Sequence, residues 1–279
     1  MNTTSAAAFR SEHQRAWGEL IVEMGLRDGR TVLGDLRQDG CMKARFPRPV
    51  DITEIITLNS SGGVAGGDRL ATRLVVGVGA QACFASQAAE RFYRAVDDDP
   101  PANVSTAIDI HAGGLAEWLP QESILFDRCA LDRRLDVTLA QDATFIGVEA
   151  LIFGRAAMGE TVATARLTDR ISVRRAGKLI LHEAVRMNGP VADLLARPAI
   201  GGGGRAVATL IYVAPDATAR LDGLRAAWDA AGAECGASAW NGMLVGRVVA
   251  ADGARLRQTV IAGLAALRDG RALPRVWNC

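Results

Sequence analysis

The sequence predicts a mainly β chain, a sandwich, barrel or solenoid of many short strands, with two helices near its C-terminus. Three observations carry this. Segments rich in Val, Ile, Thr and Leu recur with turn signals about every 8–12 residues, the spacing of all-β folds. Several alternate in polarity, as in ISVRRAGKLILHE, where a short Ala-Gly turn joins two strands. Apolar stripes at helical spacing appear only after Val213.

In order, the strand-like segments are WGELIVEMGL, GRTVLGDL, TEIITLN, LATRLVVGV, QACFASQ, VSTAIDIHA and LAEWLP. They continue with SILFD, RRLDVTLA, ATFIGVEALIFG, ETVATARLTDRISVRR, KLILHEAVRM and AVATLIYVA. No helix of ordinary length is expected between them. The connection AVDDDPPAN, 95–103, is acidic and ends in Pro-Pro, so an exposed loop is expected. IGGGGR, 200–205, is expected to be very flexible. Beyond it, Leu221, Leu224 and Trp228 recur at helical spacing with Gly232 as a stop. Leu256, Val260, Leu264 and Leu267 make a second stripe, ended by Arg268 and Gly270. The strand NGMLVGRVVA lies between, and ALPRVWNC is an extended tail with Trp277 as anchor or contact. The expected organisation is a flexible 1–16, then one domain, 17–279, with a β body to about 213 and an α+β part over 214–279.

Composition narrows the function classes. The chain has 279 residues, 49% of them hydrophobic, enough for a large core. A net charge of +1 gives no reason to expect nucleic acid or an anionic membrane as partner. The five cysteines, 41, 83, 129, 235 and 279, form no CxxC pair and are odd in number, against a disulfide framework or zinc ribbon. Cys279 reads as an exposed thiol. The first twenty residues lack a signal-peptide core, and no apolar run approaches the ~18 residues of a membrane span, so a cytoplasmic location is expected.

The most informative stretch is LNSSGGVAGGDRL. Gly62-Gly63 and Gly66-Gly67 sit four residues apart, and Asp68-Arg69 follows. Glycine adopts positive φ cheaply and lets backbone or an ion approach closely. The stretch reads as a narrow backbone passage presenting Asp68 and Arg69, or as a glycine-rich surface turn. No P-loop, GxSxG, HExxH or EF-hand pattern is present. His13 falls in the N-terminal segment, and His111 and His182 fall in strand-like runs, as satisfied histidines more readily than metal ligands.

The acids say more. Glu149 interrupts TFIGVEALIFG, Glu183 follows LILH, and Glu90 lies in QAAERFYR. An ionised carboxylate among apolar residues needs a partner, a cation or water. With Asp68, these acids could line a hydrated path for a hard or borderline cation. Equally they could face solvent, or pair with Arg69, Arg91, Arg155 or Arg186. In ALIFGRAAMGET, Gly154 and Gly159 read as turn residues and Arg155 and Glu160 as a pair across the turn, ordering a partner-binding loop.

Taken together, LNSSGGVAGGDRL, ERFYRA (90–95), LAEWLPQESILFD (115–127), EALIFGRAAMGET (149–161) and LPRVWNC (273–279) resemble the urease accessory family UreD, called UreH in some organisms. The likeness runs from about Trp17 to the end. One departure is Ser60-Ser61, where the family commonly has Pro or Gly. The resemblance implies a helicoid, solenoid-like stack of strands with two C-terminal helices. It implies a non-enzymatic scaffold that binds apo-urease and a UreF-type protein, which recruits a UreG-type GTPase. The assembly would load nickel into urease, with Ni²⁺ passing transiently and no cofactor held stably. It places Asp68, Glu90, Glu149 and Glu183 near a nickel path and the glycines and Arg69 in a structural motif. From the residues themselves, Arg155, Glu160 and Trp277 are expected at partner contacts, with the C-terminal helix and LPRVWNC tail docking the UreF-type partner. Two other readings stand beside it: a β-rich interaction module without metal traffic, and a carboxylate glycoside hydrolase, against which the sparse aromatics argue.

Overall fold

The computed structural model describes residues 14–96, 99–155 and 158–278. His13 and Cys279, and with them most of the expected flexible N-terminus, lie outside the described residues.

Strand alternation builds two facing sheets. The strands in chain order are β1 (Trp17–Arg27), β2 (Arg30–Gly40), β3 (Met42–Arg45), β4 (Thr53–Asn59), β5 (Arg69–Val76), β6 (Gln81–Ser86) and β7 (Glu90–Phe92). Next come β8 (Ala102–Ile110), β9 (Leu115–Leu119), β10 (Ser123–Leu125), β11 (Ala130–Leu139), β12 (Thr144–Phe153), β13 (Thr164–Arg175) and β14 (Lys178–Pro190). After helix α1 (Val191–Ala196) come β15 (Ala206–Val213), α2 (Leu221–Trp228), β16 (Glu234–Trp240), β17 (Met243–Ala250) and α3 (Gly253–Leu267).

The first sheet runs β14-β13-β11-β8-β5-β1-β2 and the second β16-β17-β15-β12-β9-β6-β4-β3, with β10 pairing β12 and β7. From β4 to β13 the chain crosses between sheets at each turn. Every crossing adds a strand parallel to its predecessor in that sheet: β1-β5-β8-β11-β13 in one, β4-β6-β9-β12 in the other. This is a solenoid, wound as a helicoid and ended by the antiparallel strands β2 and β14 in the first sheet and β3 and β15 in the second. It is not a closed barrel.

Period-two patterning decides what fills the gap. On β11, Leu131, Leu135, Val137 and Leu139 are buried in the inter-sheet core, as are Leu20, Val22 and Met24 of β1. The second sheet is covered on its other face too. Leu224 and Trp228 of α2 and Leu256, Val260, Leu264 and Leu267 of α3 pack with Ile146, Val148, Ala150, Leu210 and Leu244. That explains why β12 reads as a nearly continuous apolar run: both its faces are buried. Asp252 caps α3, its side chain accepting from Arg255 N at 2.9 Å.

Some elements differ from expectation. Helix α1 and strands β3, β7 and β16 are additional to the expected elements; all are short, between 3 and 7 residues. The glycine run at 201–204 is tied back by backbone hydrogen bonds, Gly202 N to Arg197 O at 2.9 Å and Gly203 N to Leu195 O at 2.8 Å, and so forms a defined turn. The tail closes in a 3-10 turn, Arg275–Asn278, rather than an extended strand. Among the described residues no helix is long and apolar enough to cross a membrane.

A polar seam between the sheets

The apolar phase of the inner strand faces is broken at a few positions that lie side by side. On β11 the inward set includes Arg133, and on β13 it includes Asp169; the two are register partners. The next row runs through Thr72, Thr106, Leu135, Ile171 and Glu183. Across the gap, Glu149 of β12, Thr209 of β15 and Arg247 of β17 form one row of the second sheet. Polar side chains of the two sheets thus face each other, buried at Arg133, Asp169 and Glu149 and open to solvent at Arg247.

Arg133 joins them. Its Nε and Nη2 donate to Asp169 at 2.9 and 2.6 Å, and its Nη1 reaches Ser123 Oγ and a Glu149 carboxylate oxygen, both at 2.8 Å. Trp118 Nε1 donates to the other Glu149 oxygen at 2.7 Å. Burial drives the Glu149 pKa upward, against the lowering influence of Arg133. The attraction of Asp169 and Glu149 outweighs burial at Arg133 and holds its guanidinium charged. Farther along, Arg247 Nη1 pairs with Glu183 Oε1, and Thr209 Oγ1 lies at 3.5 Å from that same oxygen. Glu183 Oε2 is buried with no hydrogen-bond partner among the described residues.

Two cavities flank the cluster. The larger, about 280 Å³, is lined by Gly62 and Gly63 of the glycine segment, Glu90, Trp118, Arg133 and Glu149 among others. The smaller, about 30 Å³, is bounded by Glu149, Asp169, Glu183 and Thr209. A site of that size has room for a water or two. Glu149 belongs to both walls. Glu90 is half-buried in the larger cavity; Asn59 Nδ2 donates to one of its oxygens at 3.3 Å and Arg91 N to the other at 3.2 Å. Desolvation raises its pKa.

The structure therefore brings Glu90, Glu149 and Glu183 into one series and leaves Asp68 beside it. Asp68 is buried outside both cavity walls. Its carboxylate accepts from Ala16 N and Ala65 N, each at 2.8 Å, fixing the glycine segment to the start of β1. Within that segment Gly63 has φ +138° and Gly67 has φ +84°. A Cβ on Gly63 would strike the Tyr93 ring, and one on Gly67 the Arg15 side chain. Gly62 has φ +82°, Gly66 lies against Ala95, and Arg69 is exposed while its N–H donates to Ala16 O at 3.0 Å.

The remaining expected positions lie elsewhere. Arg155 Nε donates to Glu160 at 2.7 Å, which lowers the Glu160 pKa, and the Arg155 guanidinium stacks 4.2 Å over Phe126. Met158, between them, is 71% exposed. Trp277 is buried: its indole N–H donates to Leu119 O at 3.0 Å and Arg257 lies over its ring. His111 and His182 are both exposed, His182 Nδ1 lying 3.1 Å from Ser172 Oγ. Among the described residues no three His, Cys, Asp or Glu side chains group as a metal-ligand set.

Arg133 and Asp169 were not singled out in the sequence, although a signal exists. In ALDRRLDVTL and TARLTDRISV each sits in the apolar phase of its own strand, at a place where Leu or Val would be ordinary.

Sequence comparison with known proteins covers nearly the whole chain. The family model described as UreD urease accessory protein matches residues 16–278. A relative from Azorhizobium caulinodans, called urease accessory protein UreD, is 46% identical over 95% of this chain and 97% of its own length. Relatives of the same name from Rhizobium leguminosarum bv. viciae and Sinorhizobium medicae are 44% and 46% identical, each aligned over 98–99% of both chains. With a solenoid body, a helix-covered second sheet and full-length matches of this strength, the chain belongs to the UreD urease accessory protein family.

Proposed function

We propose that this chain is a non-enzymatic urease maturation factor that passes Ni²⁺ along the seam between its sheets. In this reading it works in a complex with apo-urease, a UreF-type protein and a UreG-type GTPase, whose GTP hydrolysis gives direction. One observation carries the transit part: Glu90, Glu149 and Glu183, isolated in sequence, line two cavities that share the Glu149 wall. Family membership supports the maturation role itself.

The donor set suits passage. Single carboxylates, some neutralised by arginine, give weak oxygen sites, whereas clustered imidazole or thiolate would hold a late divalent metal. Asp68 enters as the residue that fixes the glycine segment, whose Gly62 and Gly63 line the larger cavity. The Arg155–Glu160 loop, with exposed Met158, is offered as a partner contact. Trp277 supports the C-terminal region from within.

The test is urease nickel content in cells carrying the urease genes with wild-type, Glu149→Gln or Glu183→Gln chain. Nickel-poor urease with the complex still assembling is the expected result. Full nickel loading with both variants would end the transit reading, leaving an interaction module. Loss of partner co-purification on Arg155→Glu would support the loop contact, and unchanged co-purification would remove it.

A further inference from the structure

The seam contains a cation of its own where its carboxylates converge. Arg133 comes from the apolar phase of β11, its side chain nearly buried, and its fork touches both Asp169 and Glu149. It lines the larger cavity, Asp169 lines the smaller, and Glu149 lines both. The guanidinium thus stands at the boundary between the two spaces. Beyond that boundary Glu183 Oε2 is buried without a hydrogen-bond partner among the described residues, its other oxygen being paired with Arg247.

A core of this kind has no need of an arginine. Replacing a buried ion pair by well-packed apolar residues is often neutral or stabilising. What the arrangement provides is a long, flexible cation between two acids, with an adjoining cavity of about 280 Å³ into which the side chain can swing. A divalent ion could take its place without leaving either carboxylate unpaired.

We propose that Arg133 is a displaceable plug: it occupies the Glu149–Asp169 junction in the resting chain, and a divalent cation crosses between the cavities by replacing its guanidinium there. This rests on the transit reading above and deepens it. With the plug in place, the two acids do not retain stray metal. When it swings aside, the same acids supply oxygens on both sides of the ion, and the unpartnered Glu183 oxygen supplies the next.

The experiment measures Ni²⁺ affinity of the full chain, with the metal alone, by calorimetry for wild type, Arg133→Lys and Arg133→Gln. Affinity is expected to rise in that order, the Gln variant gaining about tenfold or more because the competing charge next to both acids is gone. Trp118, hydrogen-bonded to Glu149, gives a second signal: its fluorescence should respond to Ni²⁺ in Arg133→Gln, and Trp118→Phe should abolish the response. Equal nickel affinity in all three folded chains would overturn the plug. If Arg133→Gln does not fold, the Lys variant against wild type decides alone. Failure of the plug is separable from failure of transit. Unchanged affinities with nickel-poor urease from Glu149→Gln remove only the plug, while full urease loading by Glu149→Gln and Glu183→Gln removes the transit on which it depends.

Discussion

Glu117→Ala should be among the most destabilising single substitutions in this chain. Glu117 is on β9 with its carboxylate toward the helix layer, 0% exposed. Arg268 donates to it from Nε at 3.1 and 3.0 Å and from Nη2 at 2.7 Å, and Arg271 from Nε and Nη2 at 3.2 and 2.9 Å. Arg268 is itself only 2% exposed. Removing the acid strands a buried guanidinium, and breaking a buried pair by deleting one partner costs about 3–5 kcal/mol. At about 2–4 °C per kcal/mol for a domain near this size, the melting temperature should fall by about 10 °C. Asp109→Ala serves as control: its partner Arg73 has a side chain 60% exposed, and exposed pairs contribute about 0–1 kcal/mol. Thermal and urea unfolding of the two variants give the comparison. The double variant Glu117→Met with Arg268→Met should recover part of the loss, because the fully buried guanidinium goes with the acid while the part-exposed Arg271 keeps Asp269 nearby. A Glu117→Ala cost no larger than that of Asp109→Ala would refute the reasoning.

Three further outcomes are expected. Asp68→Ala leaves the Ala16 and Ala65 amides without their acceptor, at about 2 kcal/mol, and Asp68→Asn should lose less; urea unfolding reads both. Trp277→Ala opens a cavity against α3 and frees Leu119 O, costing about 3–5 kcal/mol by the same assay. Burial raises the Glu90 pKa, so the folded chain binds that proton more tightly than the unfolded one, and stability falls as pH climbs from the ordinary carboxylate value through the raised one. Glu90→Gln should therefore be the more stable chain at neutral pH, with its advantage gone below the ordinary carboxylate range; pH-dependent melting that moves the other way would contradict this.

What was legible in the sequence follows from how each element is stabilised. The strands of the inter-sheet core and both C-terminal helices depend on patterned burial, and periodicity reads patterned burial directly. Strand β12 shows where it stops: with both faces covered, Glu149 stands out only as an acid in an apolar run, with no hint of which face it takes. That Glu149 meets Arg133 and Asp169 is a fact of solenoid register, which stacks residues from successive turns of the winding. No local pattern encodes that distance, since Arg133 and Asp169 are 36 positions apart. The short strands β3 and β7 form because neighbouring strands supply their hydrogen bonds, so their own residues carry little signal.

On the proposed transit reading, the seam has to reconcile two demands that usually conflict. A stable interior requires every buried charge to be paired, while a passage for a divalent ion requires charge that can be released. At the helix layer the first demand prevails: Glu117 is held by five hydrogen bonds from two arginines and lines neither seam cavity, although Arg271 borders a separate cavity of about 350 Å³. Between the sheets the pairing is graded. Glu90 has only two long hydrogen bonds, Glu149 shares Arg133 with Asp169, and Glu183 keeps one oxygen unpaired. Glu183 is also held by Arg247, whose side chain is half exposed, and the two cavities border Glu149 on either side. If both clusters were merely structural, Glu149→Gln and Glu117→Gln would each reduce stability and nickel loading in proportion. The transit reading instead predicts that Glu149→Gln lowers urease nickel content by more than its loss of melting temperature explains, and that with Glu117→Gln nickel content falls only as far as the folded fraction does. Parallel losses in both readouts for both variants would assign the seam to stability alone.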